Sequence, residues 1–325
     1  MIPEKAIGGY FELELTQGFP EKHPNALKYQ SARAAFLALL QPLQKIKRVW
    51  MPYYICDSML APIHAAGKEI AFYSINEWFA IKDRIPMECG DLLLYVNYFG
   101  VCDGNVATVL TQYDPAQVVI DCSQAFYSGP FECLATIYSP RKFFGLPDGG
   151  LLITSQPLEP PSAHDHDSIK RCAHLLARLA FSAEEGYESY KAAESSLDDL
   201  TPKVMSQLTQ RMLTTIDYSA TAEQRAENFA FLHKELGSSN RLSLVLSKNA
   251  PLCYPYLTKR KINKKKLAEK RIFIPAYWPD VLRRNLQDCF ELTAADQILA
   301  IPCDQRYRSP DLKRIVSALT NDLHP

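Results

Sequence analysis

Residues 118–154 read VVIDCSQAFYSGPFECLATIYSPRKFFGLPDGGLLIT, and their pattern decides the fold class. Val118-Val119-Ile120 is an apolar run that ends in an acid, Asp121. Leu134 to Tyr138 is a second apolar run, followed by Ser139-Pro140-Arg141-Lys142. Asp148-Gly149-Gly150 then leads into a third run, Leu151 to Thr154. Short, fully apolar runs bounded by turn residues are expected of strands buried on both faces. An acid and a lysine therefore fall at the ends of neighbouring strands. That layout suits a lysine that forms an imine, with a carboxylate held opposite it.

Working outward, the flanking sequence alternates strand and helix. Val49-Trp50-Met51, Ile70 to Tyr73 and Leu92 to Val96 read as strands. Helices are expected after the Ser31 N-cap, from Ile55 to Ala66 with Gly67 as the stop, and from Val106 to Tyr113. Alternation of this kind predicts a mostly parallel α/β sheet with helices on both faces. Ligands bind such sheets beyond the carboxyl ends of the strands, where Asn97, Asp121 and Lys142 fall. Past Thr154 the character changes. A Pro-rich linker leads to helices over 164–215 and 222–236. An α+β pattern follows, with strands expected at Leu242–Leu246, Cys253–Leu257 and Ile272–Ile274, a basic helix at Lys264–Arg271 and a terminal helix at Leu312–Leu323. The expected organisation is an N-terminal arm over 1–28, a large α/β domain over 29–235 and a smaller C-terminal α+β domain over 236–325.

Composition narrows the function classes. The 325 residues carry equal numbers of basic and acidic side chains, so no global field favours nucleic acid or an anionic membrane. Nine cysteines are scattered without a Cys-x-x-Cys pair, which argues against a zinc ribbon or a thioredoxin-type site and fits a reducing cytoplasm. Met1 to Lys5 opens no signal peptide, and the longest apolar stretch is far short of a membrane span. The His164-Asp165-His166-Asp167 run reads as a solvated turn rather than a metal site, and no metal is expected. The basic residues of Lys259–Arg271 read as a solvated face. Asp304 and Arg306 read as a local ion pair.

Pyridoxal 5'-phosphate makes four demands that these residues meet. It needs a lysine to hold it as an imine, and a carboxylate to keep the pyridine nitrogen protonated. It also needs donors for its phosphate, often a helix N-terminus, and a polar group for the phenolic oxygen. Lys142, Asp121, the Ser31 helix start with Ser139, and Gln124 fill those places in that order.

Several motifs together resemble the DegT/DnrJ/StrS family of sugar aminotransferases. They are Ser31-Ala32-Arg33-Ala34-Ala35, Pro52-Tyr53-Tyr54-Ile55-Cys56, Asn97-Tyr98-Phe99-Gly100 and Ile120-Asp121-Cys122-Ser123-Gln124-Ala125, with Ser139-Pro140-Arg141-Lys142, Gly149-Gly150 and the closing Leu299 to Tyr307. The resemblance implies a fold type I pyridoxal-phosphate enzyme, a homodimer with its active site at the subunit interface. It implies that Lys142 carries the cofactor, that Asp121 pairs with the pyridine nitrogen and that Gln124 meets the phenolic oxygen. Ser31, Ala32, Arg33 and Ser139 would lie at the phosphate, and Tyr53, Tyr54 and Cys56 are candidates to pack on the ring. Asn97 faces the same crevice on this reading. The implied reaction moves an amino group from a donor such as glutamate to a nucleotide-linked keto-sugar. The alternatives are dehydration or elimination on a sugar, and a non-catalytic binding subunit of the same fold. Two features depart from the family: Ser31-Ala32-Arg33 stands where many members have Ser-Gly-Thr, and the Gly-x-Asn-x-Arg loop reaching the neighbouring subunit is missing, with Asp198 to Lys203 in its region.

Overall fold

A computed structural model describes residues 7–16, 18–245 and 249–323. The first seven strands are β1 (Leu27–Tyr29), β2 (Arg48–Pro52), β3 (Glu69–Tyr73), β4 (Asp91–Val96), β5 (Val118–Cys122), β6 (Ala135–Tyr138) and β7 (Gly150–Thr154). They form one sheet in the order β1-β7-β6-β5-β4-β2-β3. The five strands from β3 to β6 run parallel, while β7 is antiparallel to β6 and β1 antiparallel to β7. Every residue of β4, β5 and β6 is buried, so both faces of the sheet centre are covered, as the apolar runs predict.

The covering helices of the first half are α1 (Ala32–Leu40), α2 (Ala61–Ala65) and α3 (Asp103–Gln112). Ser31 caps α1 through its hydroxyl, which accepts the Ala34 N–H at 3.1 Å. The helix expected over 55–66 is split into a 3-10 turn at Asp57–Met59 and the short α2, because Pro62 enters at the first turn. Gly67, at φ +65°, ends it as expected. The second half supplies α4 (Ser168–Arg171), α5 (Ala173–Ala180), α6 (Tyr187–Ser195), α7 (Gln207–Leu213) and the long α8 (Tyr218–Leu236). A second sheet pairs β8 (Cys253–Tyr256) antiparallel with β9 (Leu299–Pro302). Around it lie α9 (Lys264–Glu269), α10 (Phe290–Gln297) and α11 (Ser309–Leu323).

Two hydrophobic clusters result. The larger runs through the seven-stranded sheet and its helices. The smaller begins on α8 at Phe229 and takes in Tyr254, Tyr256, Leu267, Ile301, Leu312 and Leu319. Three expectations for the second half do not hold. Ile272–Ile274 forms no strand: it follows Arg271, at a left-handed φ of +55°, and among the described residues no strand pairs with it. Residues 242–245 are also not a strand, and Leu246 lies outside the described residues. Asp165 is not part of a solvated turn; it is 3% exposed and paired with the buried Arg171. No helix among the described residues is long and apolar enough to cross a membrane, and no group of three metal-ligating side chains occurs among them.

Candidate active site

Register places the expected site residues at one end of the large sheet. Val96 pairs with Asp121, Asp121 with Ile137 and Cys122 with Tyr138, so β4, β5 and β6 finish side by side. Ser139 follows β6, and a 3-10 turn over Pro140–Lys142 sets Lys142 just beyond the strand end. β7 runs the other way, with Leu151 opposite Tyr138, so its Gly149-Gly150 entry lies at the same end. The start of α1 closes the group, since Ser31 bridges to Gly149. A Cβ at Gly150 would lie 2.1 Å from the Ser31 carbonyl carbon, and only glycine permits that approach.

Three side chains have chemistry left to give. Lys142 is exposed, and its Nζ has no hydrogen-bond or ion-pair partner among the described residues. Asp121 is 4% exposed, and its Oδ1 accepts the Ser123 N–H at 2.8 Å. Gln124 is fully buried; its Oε1 accepts the Phe99 N–H at 2.8 Å, while its Nε2 has no partner among the described residues. A buried amide donor left unpaired carries a desolvation cost that a ligand acceptor would relieve. These residues therefore fit an aromatic cofactor with a ring nitrogen, a phenolic oxygen and a carbonyl carbon.

The other expected contacts are bound up in the protein itself. Asn97 donates to Asp103 Oδ1 at 2.6 Å and accepts the Cys102 N–H at 3.0 Å, which spends both ends of its amide on the start of α3. Side chains alternate along a strand, and Asn97 leaves β4 one residue after Val96, the register partner of Asp121. It anchors the helix on the opposite face instead of lining the crevice. Tyr54 is 1% exposed and stacks on Tyr98 with Trp278 at its edge, and burial raises its pKa. Tyr53 stacks on Phe72, and Cys56 is half-buried with the Ser58 hydroxyl 3.0 Å away. Arg33 is engaged by Asp198 at 2.6 Å. The segment around Asp198 packs on its own chain: Gln30 exchanges hydrogen bonds with Thr201 and Lys203.

Lys142 opens onto a cavity of about 580 Å³ between the sheet end and the smaller cluster. Besides Lys142 it is lined by Arg178, Arg225, Arg271, Arg306 and Arg314, against the acids Asp304 and Asp311. Arg306 makes the local pair expected with Asp304, at 2.7 and 2.9 Å, and Arg271 reaches Glu184 at 2.9 and 3.0 Å. Arg225 was not singled out in the sequence, although a signal exists. It shares the buried stripe of α8 with Tyr218, Phe229, Leu232 and Leu236. It is 1% exposed and has no carboxylate partner among the described residues. It donates to the carbonyls of Pro251, Leu252 and Phe143 at 3.0, 3.2 and 3.0 Å and lies over the Phe143 ring. Burial lowers its pKa.

The mostly parallel seven-stranded sheet in this strand order, with helices on both faces, is the fold type I architecture. Solved structures agree. The sugar aminotransferase CalS13 from Micromonospora echinospora superposes with a TM-score of 0.58 at 16% identity, over 92% of this chain and 87% of its own. NtdA from Bacillus subtilis, solved with its cofactor PMP bound, gives 0.63 at 15% identity over 92% and 73%. PseC from Helicobacter pylori, an aminotransferase involved in the biosynthesis of pseudoaminic acid, gives 0.59 at 14% identity over 91% and 86%. No protein-family model matches the chain, and no curated protein matches its sequence.

Proposed function

We propose that the protein is a pyridoxal-phosphate-dependent aminotransferase that transfers an amino group from an amino acid such as glutamate to a keto-sugar, nucleotide-linked by the family resemblance. The observation that carries this reading is the placement at one sheet end of a buried Asp121 with Lys142 and Gln124 Nε2, neither of which has a partner among the described residues. Lys142 would hold the cofactor covalently, Asp121 would face its ring nitrogen and Gln124 Nε2 its phenolic oxygen. Ser31, Ala32, Arg33 and Ser139 are assigned to the phosphate. The cofactor, when bound, supplies an electron sink for charge developing at the α-carbon of an amine. Lys142 Nζ is then the base that takes the proton from that carbon and the acid that returns one. The excess of cations around the cavity suits an anionic substrate, which supports a sugar carried on a phosphate or nucleotide. Elimination is the weaker reading, since in the dehydratases of the family a histidine replaces the lysine, and Lys142 is present. A homodimer in the cytoplasm belongs to the same proposal.

The test is to incubate the purified protein with pyridoxal phosphate, reduce with borohydride and map the modified peptide. Labelling at Lys142, a visible absorption band that glutamate bleaches, and loss of both in Lys142→Ala are expected. A colourless protein with Lys142 unlabelled overturns the assignment. Retention of the band with glutamate present argues against amino transfer. A screen of keto-sugar nucleotides then names the acceptor.

A further inference from the structure

Two arginines from separate segments are held by one short stretch of chain. Arg33, in the first turn of α1, donates to Asp198 Oδ1 at 2.6 Å. Arg141, beside Lys142, pairs with Glu194. Glu194 lies in the last turn of α6, and the chain continues in a tight turn to Asp198, whose N–H bonds to the Ser195 carbonyl. The segments that carry the two arginines adjoin: Ser31 bridges to Gly149, and a Cβ on Gly149 would meet Pro140 at 3.1 Å.

The four side chains differ in depth. Arg33 and Arg141 are 15% and 13% exposed, whereas Asp198 and Glu194 are 71% and 40% exposed. The bases are fixed parts of the site, and the acids are solvent-side partners that can exchange. Each arginine is largely buried, so a ligand that displaces the acid must pair with the guanidinium in its place. Arg141 also keeps an unspent donor, because its Nε is buried without a partner among the described residues. The α1 amides add first-turn N–H groups that no helix satisfies internally. A dianion with three acceptor oxygens uses such donors better than two separate carboxylates do.

We propose that Arg33 and Arg141 form a clamp for the cofactor's phosphate, and that Glu194 and Asp198 are its resting counter-ions, which phosphate displaces. This rests on the proposed cofactor and on the assignment of Arg33 to its phosphate; it adds Arg141 as the second arm and gives the α6 segment, through Glu194 and Asp198, a gating role. Arg141 is a binding residue on this account, and Glu194 and Asp198 compete with the ligand.

The experiment compares affinities for pyridoxal phosphate, for pyridoxal without its phosphate and for inorganic phosphate. Glu194→Gln and Asp198→Asn should each tighten both phosphate-bearing probes about threefold and leave pyridoxal unchanged. Arg141→Gln should weaken them about tenfold or more, and Arg141→Lys should recover part of that. Thermal midpoints near the parent's confirm that the variants fold. Unchanged or weaker phosphate affinity in both acid variants overturns the clamp, because the ion pairs are then structural. Should neither aldehyde label Lys142, the cofactor reading falls. Inorganic phosphate still decides the clamp in that case: tighter binding in the acid variants keeps it, and no binding ends it.

Discussion

Asp148 opens the Asp-Gly-Gly entry to β7 and is completely buried. Neither of its oxygens has a hydrogen-bond partner of good geometry, although Asp165 and the hydroxyls of Ser206 and Thr209 lie close enough to act on it. Burial is the main cause that pushes its carboxyl up to about 7, and Asp165 adds to the rise. Burial also opposes ionisation of Asp165, but the neighbouring Asp148 and the hydrogen bond from Arg171 outweigh it and hold that group low. The buried set is therefore one neutral acid, one carboxylate and one arginine. A group whose folded pKa is raised adds stability below its unfolded value, here near 3.8, and that stability is lost as pH rises through about 7. Asp148→Asn keeps the neutral shape and removes the titration. Chemical denaturation from pH 4 to pH 9 should show the variant gaining on the parent between those two values, with a plateau above pH 7 on the order of a few kcal/mol. A constant difference across that range would sink the idea. Nothing in the sequence marks Asp148 as buried, because its partners come from 165 to 209 and only the fold assembles them. The sheet-end placement of Asp121, Gln124 and Lys142 was legible for the opposite reason: each sits one to a few residues from a strand end, where local pattern and topology agree. Asn97 met the same criterion and yet serves α3, since strand-end position does not tell which face a side chain takes.

Among elements, the contact between α1 and β7 carries the most consequence. β7 enters antiparallel to β6, and its first residue, Gly150, lies under the backbone of Ser31 and Ala32. The Gly149 N–H donates to the Gln30 carbonyl at 2.8 Å, so the edge of the sheet and the cap of the helix are one construction. Gly150→Ala would place a methyl 2.1 to 2.3 Å from main-chain atoms that no rotamer can move aside. The expected loss is about 3 kcal/mol or more, from overpacking against backbone. Gly104→Ala, where a Cβ meets nothing within 4 Å, is the control and should change stability by less than about 1 kcal/mol. Equal effects of the two would remove the argument, and urea unfolding reads both. At this scale the sequence was informative wherever a strand is buried on both faces. The runs at 49–51, 70–73, 92–96, 118–120, 134–138 and 151–154 all form strands, with ends shifted by a residue or two. Elements after residue 240 were read less well. Leu242 to Leu246 and Ile272 to Ile274 have the apolar content of strands, but pairing partners and backbone conformation decide, and neither is a property of the local sequence.

For the whole molecule, the link between the lysine turn and the smaller cluster runs through α8. Arg225 and Asn228, one turn apart, face opposite partners. Arg225 holds Phe143, the residue after Lys142, together with Pro251 and Leu252 at the entry to β8. Asn228 donates to the carbonyls of Cys303, Asp304 and Tyr307, at 3.2, 3.0 and 3.1 Å, where β9 turns toward α11. Gln305 returns from that corner to the Phe143 carbonyl at 2.9 Å. The floor of the cavity is thus set by donors that cross between the two hydrophobic clusters. Apolar packing cannot substitute for them, because the acceptors are buried main-chain carbonyls, and only Gln305 on Phe143 and the weak Cys303 thiol on Pro251 share them. Arg225→Met keeps length and removes the guanidinium donors to three buried carbonyls. A loss of about 3 kcal/mol or more is expected from charge-assisted bonds of this kind. Arg225→Lys, which can reach one or two of the carbonyls, should fall between. If the arginine couples the clusters rather than merely filling space, Arg225→Met should also separate one unfolding transition into two in scanning calorimetry, with the smaller cluster melting first. A single transition, lowered in midpoint but unchanged in shape, would mean that the sheet and the smaller cluster stay joined through α8 and the Asn228 contacts alone.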